Sequence, residues 1–313
     1  MTLLSIIVPV YNRPHELEEL LASLSRQHYR NYEVIIVEDG SSLPSADVVE
    51  RYRSSLPHLR YLSVPNGGPS RARNLGAREA EGQYILILDS DVVLPEGYLE
   101  AVDRGIATTG ADAFGGPDAA SPDFSPMQRA VNFAMTSFLT TGGIRGGSAS
   151  AMEQFKPRTF NMGCRRSLFE SLGGFSEDMR YGEDIDFSLR LIATGAKVCL
   201  FPEAYVYHKR RVDLSQFFRQ VQHSGEARVE LEQRHPGATK LVHLLPAAFT
   251  IFCVLALLSV VGSGFLVLYA LLIFIAAWAD TGDLEVAILS VITSYVQLTG
   301  YGSGYILARL RRL

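Results

Sequence analysis

The chain has 313 residues, of which 47% are hydrophobic and 20% are charged, and its formal net charge is −4. This length is sufficient for one large α/β domain or two smaller ones, and the weak negative charge argues against a nucleic-acid partner. The three cysteines lie far apart without metal-ligand spacing, which favours buried thiols in a reducing compartment.

Strand and helix signals alternate through the first half of the chain, which is the pattern of a mostly parallel sheet. Apolar strand runs are each followed by a segment with helical spacing: LLSIIVPV by ELEELLASL, EVIIVED by a short helix near 45–54, LRYLSV by SRARNLGAREA, and YILILD by PEGYLEAVDRGI. Because these strands are apolar without alternation, we expect helices on both faces of the sheet.

The pattern loosens over residues 117–160, which are rich in Gly, Ser, Pro and Thr; within them GGIRGGSASAM is predicted to form a lid or acceptor loop. Order returns with NMGCRRSLFESLGGF, a helix that begins at GEDIDFSLRLIATG, and the strands KVCLFPE and AYVYH. The amphipathic helix LSQFFRQVQHSGEARVELEQ follows, and its basic neighbours suit an anionic membrane surface.

The C-terminal part predicts a membrane region. Residues 241–278 contain no Asp, Glu, Lys or Arg, and this stretch exceeds the roughly 20 apolar residues that span a bilayer. A second apolar stretch, 286–308, follows the acidic loop ADTGDLE and ends in RLRRL. The positive-inside rule favours one crossing in each stretch with ADTGDLE outside, whereas a hairpin followed by a surface-lying helix is the alternative.

The N-terminal segment MTLLSIIVPVYN has neither the basic region nor the cleavage site of a signal peptide. We therefore expect a multi-pass protein of the plasma (inner) membrane with its N-terminal domain in the cytosol. The predicted boundaries are an α/β domain over 1–213, a juxtamembrane helix over 214–240 and a membrane region of two or three helical segments over 241–313.

Two carboxylates, Asp89 and Asp91, directly follow the buried strand YILIL. Ligands of open parallel sheets bind at the carboxyl ends of the strands, and residues two apart on an extended chain point to the same side. Mg²⁺ or Mn²⁺ bound there would turn the repulsion of a nucleotide diphosphate, roughly 4 kcal/mol per charge pair at 4 Å, into attraction. The alternative is a polar turn, since Asp and Ser are common turn residues.

Other strand ends and loops supply candidate ligand contacts. Asp39 follows VIIVE and would accept a hydrogen bond from a nucleotide base, or else form a local turn. Pro9 and Tyr11 would line the same crevice. Arg71 and Arg73 in NGGPSRARNLG are candidate diphosphate contacts, with a solvated helix face as the alternative.

A second acidic pair, Glu183 and Asp184, begins a predicted helix. Acidic residues at this position commonly stabilise the helix dipole, but Asp184 is also placed to act as a general base toward an acceptor hydroxyl, with Glu183 on the acceptor side. His208 closes the strand AYVYH and is either a third metal ligand or a packed surface residue.

Five motifs in this order, SIIVPVYNRP, VIIVEDGSS, NGGPSRARNLGAREAEGQYILILDSD, SLGGFSEDMRYGEDIDFSLRLIATG and VYHKRR, resemble those of family-2 glycosyltransferases with the GT-A fold. The resemblance covers about residues 4–220. It implies transfer of a sugar from a nucleotide-diphosphate donor, usually with inversion, and with a divalent metal bound by the DxD motif.

The resemblance also implies roles for individual residues. They are a base contact for Asp39, the sugar or ribose side of the donor for Asp89, the principal metal ligand for Asp91, the catalytic base for Asp184, a further metal contact for His208 and a diphosphate contact for Arg211.

Processive synthases of this family usually carry a QxxRW motif, and here QFFRQ stands in its place. The resemblance therefore implies a single-addition enzyme that uses a nucleotide-sugar donor, with UDP-sugars as the first expectation. It would act beside membrane lipid on a lipid-linked (polyprenyl-diphosphate) or cell-surface glycan. Two alternatives remain open at this point: a metal-dependent nucleotidyltransferase and a non-catalytic, membrane-anchored scaffold that binds sugar nucleotides.

Overall fold

The computed structural model describes residues 2–119, 123–142, 155–210 and 212–312. Most of the predicted lid segment, residues 143–152, and the candidate diphosphate contact Arg211 lie outside the described residues. The chain forms two compact units: the first comprises Met1–Ser121 and Gln154–His208, and the second comprises Pro122–Glu153 and Lys209–Leu313.

The elements follow one another along the chain in the predicted alternation. They are β1 (Leu4–Val10), α1 (Pro14–Ser25), β2 (Tyr32–Asp39), α2 (Ala46–Tyr52), β3 (Leu59–Val64), α3 (Pro69–Arg78), β4 (Tyr84–Leu88), β5 (Val92–Val93), α4 (Tyr98–Thr109), β6 (Ala113–Gly115), β7 (Asp118–Ala119), α5 (Pro126–Thr136), α6 (Phe138–Thr141), β8 (Asn161–Arg165), α7 (Arg166–Ser171), α8 (Glu183–Ala193), β9 (Val198–Leu200), β10 (Val206–His208), α9 (Leu214–Arg234), α10 (Leu245–Ala256), α11 (Val260–Thr281) and α12 (Leu284–Leu310).

The first unit is built on a seven-stranded sheet in the order β3-β2-β1-β4-β8-β6-β9. Strands β1 to β4 are parallel, whereas β8 runs antiparallel to both β4 and β6. The carboxyl ends of β1, β2 and β4 therefore lie at one edge, together with the first residue of β8, Asn161. This edge carries the candidate site.

Both faces of the sheet are covered, which explains why its strands are apolar without alternation. Alternate strand residues such as Ile6 and Ile36 pack with leucines of α1 and with α4 in one cluster. Their neighbours Ile7 and Ile35 pack with α3, α7 and α8 in the other. The result is a rigid, two-faced scaffold beneath the strand ends.

A second, three-stranded sheet in the order β5-β10-β7 brings residues from distant parts of the chain to the same edge. His208 of β10 pairs with Val92 of β5 in antiparallel register, so that His208 lies beside Asp91, the residue that precedes Val92. On the other side of β10, Val206 pairs with Asp118 in parallel register. The acidic turn after β4 is thus joined to a histidine more than one hundred residues later in sequence.

The second unit is helical, and α12 is its central element. Helix α12 packs against α5, α9, α10 and α11. Its approach to α9 depends on small residues: a Cβ on Gly225 would lie 2.0 Å from the backbone oxygen of Tyr301, and one on Gly304 would lie 2.0 Å from that of Gln222. Two helices, Val260–Thr281 and Leu284–Leu310, are long and apolar enough to cross a membrane.

Replacement of Gly225 tests this close helix packing. We expect Gly225→Ala to lower the free energy of unfolding by about 1–3 kcal/mol, because the added methyl group meets rigid backbone and forces α9 away from α12. The matched control is Gly264→Ala in α11, where nothing lies within 4 Å of the new Cβ. Thermal unfolding in detergent measures both variants, and equal stability of the two would contradict the packing.

Candidate active site

Three side chains at the edge of the sheet form a group that fits a metal ion. The ligand atoms of Asp89, Asp91 and His208 all lie within 4.8 Å of one another. Two carboxylate oxygens and an imidazole nitrogen form a donor set that Mn²⁺ or Mg²⁺ accepts together with phosphate oxygens. The structure therefore brings together the three residues that the sequence predicted around a cation.

Asp91 is almost completely buried, and its two oxygens have different surroundings. Arg13 forms an ion pair with Oδ2, while Oδ1 lies 3.3 Å from Nε2 of His208 and has no hydrogen-bond partner among the described residues. Burial by itself would raise the pKa of Asp91, but His208 and Arg13 outweigh it and hold that pKa well below its usual range. An ionised, buried oxygen without a hydrogen bond is what a cation ligand requires.

The imidazole ring of His208 has contacts that fix it, in addition to the strand pairing that fixes its backbone. Phe160 stacks on the imidazole with ring centroids 5.0 Å apart, and Nδ1 of His208 lies 4.0 Å from Oδ2 of Asp118. A carboxylate behind a metal-binding histidine commonly fixes the orientation of the ring. No sequence signal pointed to Asp118, because the pairing of β7 with β10 was not predictable from local pattern.

Arg73 links Asp89 to the acidic start of α8. Its guanidinium donates to Oδ1 of Asp89 and to Oε1 of Glu183, each at 2.8 Å, and it lies 5.8 Å from the centroid of the Phe175 ring. The sequence suggested a diphosphate contact for Arg73, whereas the structure buries its side chain between two carboxylates. Arg71, two residues nearer the start of α3, is exposed and is the better placed of the two for a soluble ligand.

Asp184, the other member of the second acidic pair, is held by a different arginine. Arg158 donates from Nε to Oδ2 of Asp184, and the backbone N–H of Ile185 donates to Oδ1 at 2.8 Å. Burial, together with the neighbouring Asp184, raises the pKa of Glu183 despite the opposing effect of Arg73. Arg158 and Arg13 are site residues that the sequence reasoning missed.

Asp39 organises the glycine loop that precedes α3. Its Oδ1 accepts the N–H of Gly67 at 2.7 Å, and its Oδ2 accepts that of Gly68 at 2.9 Å. Gly40 has φ +67, and a Cβ there would lie 2.4 Å from the backbone nitrogen of Asn66, so the two loops can meet only at glycine. Asp39 therefore shapes the loop whether or not it also contacts a ligand.

The remaining predicted residues lie at the end of β1. Pro9 is partly exposed near the end of the strand, and Tyr11, just beyond it, has 53% of its surface exposed. The loop that follows is tied to the β2 loop, because Oδ1 of Asn12 accepts the N–H of Leu43 at 3.0 Å. An exposed aromatic ring on an anchored loop is available to a ligand at this edge.

Comparison with protein families gives one match over more than half of the chain. The sequence model described as "Glycosyl transferase family 2" matches residues 5–181. The chain is 30% identical over 220 residues to an "Uncharacterized glycosyltransferase EpsJ" of Bacillus subtilis, a match covering 68% of this chain and 63% of that protein.

Two further curated relatives extend this picture. Over 238 residues the chain is 30% identical to a "Pre-mycofactocin glycosyltransferase" of Mycobacterium tuberculosis, covering 75% of this chain and 48% of the relative. It is 25% identical over 259 residues to the "Succinoglycan biosynthesis protein ExoA" of Rhizobium meliloti, covering 82% and 78%. The matches to the first two relatives thus span only about half to two-thirds of their lengths.

Solved structures show the same fold at low sequence identity. The mannosyltransferase PcManGT from Pyrobaculum calidifontis, in complex with GDP-Man and Mn²⁺, has a TM-score of 0.62 at 21% identity, covering 94% of this chain and 87% of its own. Residues 1–349 of Staphylococcus aureus TarS in complex with UDP-GlcNAc have a TM-score of 0.54 at 20% identity, covering 99% and 92%.

Arg73 can be tested as a structural residue. We expect Arg73→Gln to lower the free energy of unfolding by about 3–5 kcal/mol, because Asp89 and Glu183 would lose the shared cation between them. Arg71→Gln, on the exposed side of the same helix, is the control and should change stability by less than about 0.5 kcal/mol. If urea unfolding shows the same loss of stability in both variants, Arg73 does not have this structural role.

The metal group can be tested without any substrate. We expect Asp91→Asn and His208→Ala each to weaken Mn²⁺ binding at least about 10-fold in calorimetric titration, since each removes one ligand atom of a three-residue set. Asp47→Asn, an exposed acidic residue of α2, controls for the loss of one negative charge. Unchanged affinity in the two site variants would place the ion elsewhere.

Proposed function

The chain belongs to glycosyltransferase family 2, and from that premise we propose that it moves a sugar from a nucleotide-diphosphate donor to a hydroxyl group of a glycan, with inversion at the anomeric carbon. The family predicted from sequence, the glycosyltransferase class of enzyme and the GT-A fold with its mostly parallel sheet are confirmed. The donor, the acceptor and the metal dependence belong to the proposal.

The observation that carries the proposal is the meeting of Asp89, Asp91 and His208 at the carboxyl edge of the sheet. This edge is where open α/β sheets bind their ligands. Arg73 joins the same group to Glu183 at the start of α8, so that donor-side and acceptor-side acidic residues belong to one connected cluster. A binding protein that only recognised a sugar nucleotide would have no need for the second acidic pair.

The donor is proposed to be a nucleoside-diphosphate sugar, with UDP-sugars as the first expectation. Solved structures of similar fold hold GDP-Man in one case and UDP-GlcNAc in another, so both classes belong in a test. Oδ2 of Asp39 accepts hydrogen bonds from Gly68 and from the side-chain amide of Asn66, whereas Oδ1 accepts only the N–H of Gly67 among the described residues and can accept a second hydrogen bond. A base edge would therefore bind beside Asp39, with the ring of Tyr11 nearby.

Asp91 and His208 would hold Mg²⁺ or Mn²⁺, with Asp89 toward the sugar or ribose of the donor. A bound divalent cation supplies positive charge that stabilises the departing nucleoside diphosphate. Arg13 fixes Asp91 through Oδ2 and so leaves Oδ1 available. Arg71 and Arg211 are proposed to contact the diphosphate.

Asp184 is proposed as the general base. It takes the proton from the acceptor hydroxyl as that oxygen bonds to the anomeric carbon and the bond from this carbon to the diphosphate oxygen breaks. One displacement of this kind inverts the configuration. Arg158 and the N–H of Ile185 hold the carboxylate in a single orientation, and Glu183 lies beside it on the acceptor side.

The acceptor is proposed to be a lipid-linked or cell-surface glycan that receives one sugar per reaction. One relative is named for succinoglycan biosynthesis and another as a poly(ribitol-phosphate) β-N-acetylglucosaminyltransferase, and these names support a glycan or polymer acceptor. The apolar helices of the second unit are proposed to attach the protein to the plasma (inner) membrane with the active site in the cytosol. A membrane-bound enzyme meets a polyprenyl-diphosphate acceptor at the surface where that lipid lies.

A donor panel tests the proposed reaction. Detergent-purified protein is incubated with UDP-, GDP- and dTDP-sugars, with Mn²⁺, Mg²⁺ or EDTA, and with membrane-lipid extract as the acceptor source. We expect release of nucleoside diphosphate from one donor, abolition by EDTA, and a loss of at least about 100-fold in Asp184→Asn because the general base is removed. Asp186→Asn, which lies in the same helical turn but pairs with Arg190, is the matched control.

The outcomes of this assay separate the alternatives. Release of inorganic diphosphate from a nucleoside triphosphate would indicate a nucleotidyltransferase instead. If a donor binds but no variant or condition gives turnover, the chain is a sugar-nucleotide-binding scaffold. If the Asp184→Asn variant turns the donor over at the same rate as the parent protein, Asp184 is not the general base.

A further inference from the structure

We propose that the second unit docks into one leaflet of a lipid membrane without crossing it, so that both ends of α12 stay on the side of the catalytic strands. This inference rests on the membrane attachment proposed above, and it replaces the two crossings that the sequence predicted. The lipid-facing surface is formed by α10 and by α11 up to Ala279, where the exposed side chains are apolar.

The first half of α12 is tied to α5. Nη1 of Arg129 forms an ion pair with Oδ2 of Asp283 at 2.9 Å, and Thr293 donates from Oγ1 to the carbonyl of Ala130 at 2.9 Å. Asp283 caps α12 and belongs to the acidic loop ADTGDLE. That loop therefore cannot lie across a membrane from α5.

The second half of α12 is tied to α9. A Cβ on Gly300 would lie 2.5 Å from the Val221 side chain, and Arg228 donates from Nε to the hydroxyl of Tyr301 at 3.3 Å. Helix α9 carries charged residues along its length, and charged side chains are costly inside hydrocarbon. Because α9 belongs at the aqueous surface, the part of α12 that packs along it belongs there as well.

Chain length places α5 and α9 on the side of the catalytic strands. Pro126 begins α5 seven residues after the end of β7, and α9 begins six residues after the end of β10. Seven extended residues reach about 25 Å, less than the hydrocarbon thickness of about 30 Å. Irregular backbone exposed to lipid is excluded in any case, because its polar groups would be unsatisfied.

In the hairpin formed by α10 and α11, the arm that contains α10 is too short to reach the far surface of the membrane. Helix α10 has 12 residues, or about 18 Å, and a turn of 3-10 helix, Leu241–His243, lies between it and Lys240. The whole arm therefore reaches about 25 Å, less than the hydrocarbon thickness of about 30 Å. The bend that joins it to α11 is apolar and strongly exposed: Leu257 is 76%, Leu258 is 83% and Val260 is 91% exposed. An uncharged tip on a short arm fits the interior of one leaflet.

Charge marks where the membrane surface lies. Residues 241–278 contain no acidic or basic side chain except His243, while Lys240 precedes them and Arg309, Arg311 and Arg312 follow at the end of α12. Basic residues at this boundary suit anionic headgroups. Only 11% of the most apolar 18-residue segment of α11 is buried in the protein, against 39% of that of α12, so α11 needs lipid more than α12 does.

Site-directed labelling tests the topology on the full chain. In a background with Cys164, Cys199 and Cys253 replaced by Ser, single cysteines are placed at Asp280 beside the acidic loop, at Leu258 in the apolar bend and at Glu203 as the catalytic-side reference. Asp280 and Glu203 are both exposed. A membrane-impermeant maleimide is then applied to intact cells and to inverted membrane vesicles, and sugar transfer is measured on each variant.

We expect D280C and E203C to be labelled in inverted vesicles and protected in intact cells, and L258C to be protected from both sides until detergent is added. Labelling of D280C in intact cells would overturn the inference and restore two crossings, while membrane attachment stood. Labelling of L258C in intact cells would show that the hairpin reaches the far surface and would overturn it too. Recovery of active protein in the soluble fraction would overturn the attachment itself but not the glycosyl transfer.

Discussion

Concentrated negative charge at one edge of a sheet is the constraint on which the rest of the site depends. Asp89, Asp91, Glu183 and Asp184 all lie there, and two such charges 4 Å apart repel by about 4 kcal/mol at an effective dielectric of 20. Three arginines offset this repulsion: Arg13 pairs with Asp91, Arg73 with Asp89 and Glu183, and Arg158 with Asp184. Because the three arginines come from separate parts of the chain, the carboxylates are brought together only when the sheet and its helices are complete.

In this arrangement the two oxygens of one carboxylate have different partners. One oxygen of Asp91 is held by Arg13, and the other faces His208 without a hydrogen bond of its own. Asp39 likewise shapes the glycine loop with both oxygens, and its Oδ1 accepts only the N–H of Gly67 among the described residues. The same residues therefore stabilise the local fold and remain able to bind a ligand, which is why their roles cannot be separated by burial alone.

Local pattern was sufficient to predict the strands and helices of the first unit, because apolar runs and helical spacing are short-range signals. It also singled out Asp89 and Asp91, which follow β4, and His208, which ends β10, and the structure brings these three side chains together. It could not find Arg13, which lies 78 residues before Asp91, or Arg158, which lies 26 residues before Asp184, because nothing in the sequence near an arginine states which carboxylate it will meet. The antiparallel insertion of β8 is equally non-local.

The second unit shows the limit of hydropathy. Both α11 and α12 are long and apolar enough to cross a membrane, but only the packing shows that α12 is enclosed by α5, α9 and α10 while α11 presents an apolar surface. Small residues such as Gly225, Gly300 and Gly304 allow that enclosure. In the sequence, these glycines indicate only a lower helix propensity.

Pulsed electron paramagnetic resonance of Mn²⁺ bound together with a nucleoside diphosphate tests the central claim most directly. The account predicts that one ion shows coupling both to a nitrogen nucleus of His208 and to phosphorus of the diphosphate, and that the nitrogen coupling disappears in His208→Ala. Phosphorus coupling with no nitrogen coupling in the parent protein would contradict it. The ion would then belong to the nucleotide and not to the group formed by Asp89, Asp91 and His208.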